Sequence, residues 1–203
     1  AAPIHVAAAD WPGVQRAARD LAADIERVSG VKPQLSHEVP ARGTALIAGT
    51  IGRSPLIDDL VARGKLDVTD VRGKWESFVI TTGDNPAAGV DRALVIAGSD
   101  KRGTIFGIYE VSQQIGVSPW YWWADVPVAH RETLALRAGR HVWGEPSVRY
   151  RGIFLNDEAP DLTNWIRAKF GEVPVGQSPP MPAGVANYGS GFYTRLFELM
   201  LRL

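Results

Sequence analysis

Three polar residues in a row, Asn156-Asp157-Glu158, end the apolar run Gly152-Ile153-Phe154-Leu155. Carboxylates are costly to bury unless they are paired or put to use. A strand that finishes this way either surfaces or delivers its end into a site. In an α/β barrel, site residues occupy the carboxyl ends of strands. Neighbouring side chains on a strand diverge, so at most one of Asp157 and Glu158 shares a direction with Leu155, and Asn156 points the other way. An ordinary polar strand end fits the same local pattern.

A second set of groups lies in Ile96-Ala97-Gly98-Ser99-Asp100-Lys101-Arg102-Gly103-Thr104. A strand ends, a polar loop bracketed by glycines follows, and a helix begins. Free N–H groups at a helix start beside Lys101 and Arg102 suit a phosphate or a carboxylate. The glycine spacing is neither that of a phosphate-binding loop with Gly-Lys-Ser/Thr nor that of a dinucleotide fingerprint. The simpler reading is a turn with solvated charges in which Asp100 balances the basic pair. A third segment, Trp120-Tyr121-Trp122-Trp123, offers flat faces for sugars or bases, although burial as an anchor between two domains suits tryptophan better. The histidines His5, His37, His130 and His141 are scattered at spacings that hold no metal, and there is no cysteine. No metal or cofactor is expected, and no Gly-x-Ser-x-Gly elbow supports a serine nucleophile.

Positioning such groups requires a scaffold, and the periodicity supplies one. Ile4 to Ala8 reads as a strand, with Asp10 as the helix N-cap and Pro12 in the first turn. Trp11, Val14, Ala18, Leu21, Ile25 and Val28 then recur at helical steps up to Gly30. Strands are expected at 32–37, 44–48, 75–82 and 93–97, with a short helix over 55–62 and a longer one over 104–115. Asp84-Asn85-Pro86 is expected to break the fourth strand. A further strand is expected at 133–138, then a linker over 140–146. The strand ending at Leu155, a long Gly/Pro loop over 176–191 and a helix over 192–203 complete the reading. Alternating strands and helices predict an α/β fold with helices packed on a sheet. The boundaries predicted are 1–145 for a first α/β domain with a mixed sheet and 146–203 for the start of a second. The last helix has no closing glycine or proline and nothing after Leu203 to cover its apolar stripe, which implies that the polypeptide continues.

Composition bounds the partners. In 203 residues, 22 Lys and Arg equal 22 Asp and Glu, so no global field favours nucleic acid or an anionic membrane surface. No apolar run approaches the roughly 20 residues of a membrane span. Ala1-Ala2-Pro3 suits a mature terminus left after a small-residue cleavage site, or an arbitrary boundary.

These segments together resemble glycoside hydrolase family 115, the xylan α-glucuronidases. DWPGVQRAARDLAADIERVSGVKP is similar to the family's first helix, and ALVIAGSDKRGTIFGIYEVSQQIGVSPWYWWADVPV to its most recognisable N-terminal block. YRGIFLNDEAP followed by FYTRLFELMLRL resembles the entry into its catalytic barrel. The resemblance runs from about Ile4 to Leu203. It implies an N-terminal α/β domain followed by a (β/α)₈ barrel, with Val148–Leu155 as barrel strand one and Phe192–Leu203 as its first helix. The implied reaction is inverting hydrolysis of the α-1,2 bond between glucuronic acid, or its 4-O-methyl ether, and xylan.

Inversion needs an acid and a base about 6.5–9.5 Å apart, which Asp157 and Glu158, adjacent in sequence, serve poorly. The general acid and base are therefore expected beyond Leu203, and the 203 residues alone are expected to be inactive. Asn156, Asp157 and Glu158 are expected to hold the sugar, and Lys101 and Arg102 to meet the uronate carboxylate. The implied partner is glucuronoxylan or its oligosaccharides, not nucleic acid or membrane. Secreted or periplasmic localisation is expected, and any homodimer would form through later C-terminal domains. The competing expectation is a non-catalytic α/β accessory or glycan-binding module that supports a barrel. A nucleotide- or phosphate-binding domain is a third, weakened by the missing ribose-binding acid and glycine pattern.

Overall fold

The computed structural model describes residues 1–156, 161–173 and 185–203. The chain divides into two compact units, Ala1–Ser147 and Val148–Leu203. In the first unit the elements run β1 (Ile4–Val6), α1 (Pro12–Ser29), β2 (Leu35–Ser36), β3 (Gly43–Thr50), α2 (Pro55–Ala62), β4 (Phe78–Ala87), β5 (Val90–Gly98), α3 (Lys101–Gln114) and β6 (Arg140–Trp143). The sheet order is β2-β1-β3-β5-β4-β6. Strands β2, β1, β3 and β5 are mutually parallel, while β4 runs antiparallel to both β5 and β6.

Burial on both faces explains the apolar strands. Ala45 and Ile47 of β3, with Ala93 and Val95 of β5, meet Ile57 and Leu60 of α2. Leu46 and Leu94 point the other way, toward Ile25 of α1 and Val111 and Ile115 of α3, around a cavity of about 430 Å³. Alternate residues thus feed two cores, so β3 and β5 read as unbroken apolar runs. Helices α1 and α3 pack on each other. Gly30 ends α1 in the left-handed conformation at φ 73°, as the sequence predicts.

Several expectations change. Strand β4 begins at Phe78, not Trp75, and runs through Asp84-Asn85-Pro86 instead of breaking there. Asn85 adopts φ 48°, and the register slips between Asp84 and Ala87, so the strand absorbs a proline by bulging. No strand forms over 133–138; it forms at Arg140–Trp143, in the expected linker. Its pairing with β4 places Trp143 on Phe78, stacked at 4.7 Å. That contact is tertiary, and local pattern does not reveal it. The aromatic run 120–123 lies in turns after α3. Arg27 lies over the Tyr121 ring at 4.7 Å, and Trp122 and Trp123 meet edge to face at 5.2 Å.

The second unit contains α4 (Asp161–Phe170), β7 (Glu172–Val173), β8 (Val185–Ala186) and α5 (Ser190–Arg202), with β7 and β8 antiparallel. Phe192 is its centre, buried among the rings of Phe170, Tyr188 and Tyr193 at 5.1–5.9 Å. Leu196 and Leu199 continue the predicted stripe of α5. Helix α4 is an addition to the sequence reading and precedes the helix expected as the first of the unit.

The run expected as a buried strand, Val148–Leu155, is not one here: residues 148–156 have no regular structure. Tyr150 is 86% and Phe154 88% exposed. A strand exists only through the N–H and C=O groups of a neighbour. Among the described residues no strand pairs with this run. The loop expected at 176–191 falls largely outside the described residues, while 185–186 form β8 and Ser190 starts α5.

Candidate functional site

The carboxyl ends of β1, β3 and β5 lie side by side, and each feeds a helix. Asp10 follows β1, Thr50 ends β3, and Asp100 precedes α3. Asp10 does not cap α1 as expected; the N-cap is Trp11, without a side-chain hydrogen bond. The Asp10 carboxylate is 5% exposed and turns inward instead. It accepts the Trp11 N–H at 2.8 Å, the Thr50 N–H at 2.7 Å and the Thr50 hydroxyl at 2.8 Å. The Thr50 and Thr104 hydroxyls share a further hydrogen bond of 2.8 Å. One buried carboxylate thereby ties together two strand ends and the first turn of α3.

The loop expected to bind an anion is already engaged by the protein's own carboxylates. Asp100 caps α3, accepting the Gly103 N–H at 2.8 Å, and its other oxygen accepts the Glu76 N–H at 2.9 Å. Ser77 and Ser99 suture the same loops: the Ser99 hydroxyl and N–H both donate to the Ser77 carbonyl, at 3.0 and 2.9 Å. Glu76 is 2% exposed and sits at φ 51°, a left-handed conformation uncommon for a side-chain-bearing residue. Its carboxylate meets Arg102 at 2.6 Å, a charge contact without the alignment of a hydrogen bond at that oxygen. So Glu76, not Asp100, balances Arg102. Gly103 makes this arrangement possible, because a Cβ there would lie 2.3 Å from the Ser77 carbonyl oxygen.

Lys101 is different. It is exposed, and its Nζ lies 5.9 Å from the centre of the Trp11 ring. The same ring carries the Arg53 guanidinium at 3.8 Å. Trp11 is 36% exposed, not turned into the core as helical spacing suggests. Arg53 escaped the sequence reading because it stands alone in Gly52-Arg53-Ser54-Pro55. Only the sheet order places that turn beside Lys101.

Of the residues expected to hold a sugar, Asn156 is exposed in the irregular 148–156 segment, and Asp157 and Glu158 lie outside the described residues. Lys101 and Arg102 belong to the first unit and Asn156 to the second. In the second unit, a cavity of about 600 Å³ is lined by Thr163, Arg167, Asn187 and Tyr188. Its polar groups are mutually engaged: Thr163 and Tyr188 share a 3.4 Å contact, and Arg167 pairs with Glu172 at 3.0 Å. Among the described residues no group of three His, Cys, Asp or Glu side chains could hold a metal ion. No described helix is long and apolar enough to cross a membrane.

Residues 143–203 match the model of glycosyl hydrolase family 115. A solved structure described as "a novel family GH115 4-O-Methyl-alpha-glucuronidase, BtGH115A, with specificity for decorated arabinogalactans" matches 99% of this chain at 32% identity, with a TM-score of 0.77. The chain spans 24% of that protein's length. A second structure, described as that of CpGH84D, matches 55% of this chain and 17% of its own at 8% identity, with a TM-score of 0.37, and carries no argument. No curated protein matches the chain.

Proposed function

Since the chain belongs to glycosyl hydrolase family 115, we propose that it is part of an α-glucuronidase that removes glucuronic acid or its 4-O-methyl ether from a polysaccharide. The observation that carries this reading is the 32% identity to a 4-O-methyl-α-glucuronidase across 99% of the chain. Within the reading, the linkage is α-1,2 to xylan and the reaction inverts the anomeric centre. The neighbour's specificity for decorated arabinogalactans makes that polymer the second substrate to test.

Residues 146–203 open a (β/α)₈ barrel in this proposal, with Asn156, Asp157 and Glu158 at its mouth. There they accept and donate hydrogen bonds to sugar hydroxyls. The opposed acid and base lie later in the polypeptide, since inversion requires a gap of about 6.5–9.5 Å that adjacent residues do not span. Arg102 is engaged by Glu76, which leaves Lys101, of that basic pair, as the cation for a uronate carboxylate. A polymeric substrate places the protein in a secreted or periplasmic setting.

The test is release of uronic acid from glucuronoxylan and from decorated arabinogalactan by the longer polypeptide that carries these residues, with the product anomer followed by NMR. Initial release of the β-anomer from an α-linked substrate supports both the hydrolase and inversion. Initial release of the α-anomer removes inversion, and no release removes the hydrolase. The second reading, a non-catalytic α/β glycan-binding module, is favoured by the exposed Arg53–Trp11–Lys101 cluster of the first unit. Retention on the polymers without release would select it.

A further inference from the structure

Six of the twelve arginines of the first unit pair with carboxylates within it, Arg27 with Asp24 among them. Arg16 pairs with Asp20, Arg63 with Asp59, Arg92 with Asp84, Arg102 with Glu76, and Arg140 with Asp67 and Asp70. Arg53 and Lys101 are set apart by the ring they share. Neither has a carboxylate partner among the described residues, and both instead face one indole, that of Trp11, at 3.8 and 5.9 Å. The neighbouring acids are occupied: Asp10 by Trp11 and Thr50, Asp58 by the Gly52 N–H at 2.8 Å, and Asp100 by Gly103 and Glu76.

The three residues come from three different strand-to-helix turns. Trp11 lies between β1 and α1, Arg53 between β3 and α2, and Lys101 opens α3. Helix α2 covers the sheet face opposite the one on which α1 and α3 pack. Adjacent connections thus leave β1 and β3 in opposite directions, which opens a crevice at the carboxyl edge. Two like charges repel, and the indole face offsets only part of that repulsion. An anion between them would offset the rest. A planar guanidinium accepts a carboxylate through two parallel hydrogen bonds, and an ammonium adds an adaptable third contact. The exposed part of the Trp11 ring offers an apolar surface for the C–H face of a sugar.

We propose that Trp11, Arg53 and Lys101 form a polysaccharide subsite that holds a uronate residue by its carboxylate. The choice of a uronate rests on the glucuronidase reading; the cation pair itself does not. Arg53 supplies the bidentate contact, Lys101 the second charge, and Trp11 orients Arg53.

The test is affinity electrophoresis of the protein in gels containing glucuronoxylan, or the same polymer after its carboxylates have been reduced to alcohols. The Arg53→Gln/Lys101→Gln double variant is compared with Arg16→Gln/Arg92→Gln, which removes equal charge elsewhere. Arg53→Lys separates the guanidinium's geometry from its charge. The proposal predicts that glucuronoxylan retards the wild type and the Arg16/Arg92 control equally. It predicts about tenfold weaker binding for the Arg53/Lys101 variant, an intermediate Arg53→Lys, and no retardation on the reduced polymer. Equal retardation of all variants, equal retardation on the reduced polymer, or no retardation of the wild type each overturns it. Uronic acid release, measured in parallel on the longer polypeptide that carries these residues, tells the two readings apart. Release with no dependence of binding on Arg53 and Lys101 overturns the subsite and leaves the hydrolase standing. Retardation that depends on them without release supports the subsite and removes the hydrolase.

Discussion

Asp10 engages three donors with one buried carboxylate, and this makes it the most consequential single residue of the sheet edge. Asp10→Ala strands the Thr50 N–H away from water, while the Thr50 hydroxyl keeps Thr104, at a cost of about 1–3 kcal/mol. Urea denaturation of the variant should show that loss, and an unchanged midpoint would show that Asp10 ties nothing. His5, in the middle of β1, makes a second prediction. Burial lowers its pKa below the ordinary 6.5, the nearby His37 acts in the same direction, and a hydrogen bond to the Glu38 backbone opposes them. The folded state therefore keeps this ring neutral where the unfolded state takes a proton. Its contribution to stability is complete above pH 6.5 and is lost as pH falls from there through the lower folded value. Stability measured against pH should fall on that acid limb, and His5→Gln should flatten it; an unaltered limb would assign it to other groups. At this scale the sequence was only partly legible. Lys101 and Arg102 stand out as a basic pair, but their different fates depend on Glu76, which reaches Arg102 from 26 positions away in the chain.

Elements with a self-contained period were readable, and those defined by a partner were not. Helix α1 announces itself by apolar residues at three- and four-residue steps and by Gly30. Strands β3 and β5 do so by unbroken apolar runs. Strand β6 has neither signal, since Arg140-His141-Val142-Trp143 is a strand because β4 pairs with it. The same reasoning applies in reverse to 148–155, whose composition is that of a strand but which pairs with no other strand among the described residues. The turn from β5 into α3 carries the prediction at this scale. A Cβ at position 103 would approach the Ser77 carbonyl oxygen to 2.3 Å, so backbone must move. Gly103→Ala should cost about 1–3 kcal/mol, the range for overpacking, although alanine is otherwise the better helix former. Thermal unfolding would reveal it. A gain in stability would mean that the Ser77–Ser99 suture is loose.

For the whole molecule, the family is legible in blocks that span both units, and in the proposed account the acid and base lie outside the residues described. The first unit is a three-layer α/β sandwich whose own carboxylates occupy the start of α3. The second unit has an aromatic core around Phe192 and carries Asn156 on an exposed segment. Because the chain spans 24% of its glucuronidase neighbour, catalysis belongs to a longer polypeptide in the proposed account. The most direct test is to measure uronic acid release from glucuronoxylan and from decorated arabinogalactan. The 203-residue chain should be compared with the uninterrupted gene product that carries it. The account predicts release by the longer protein and none by the 203 residues, and a marked loss of release when Asp157→Asn is introduced into the longer protein. Release by the 203 residues alone would contradict the placement of acid and base beyond Leu203, and release by neither would contradict the glucuronidase reading itself.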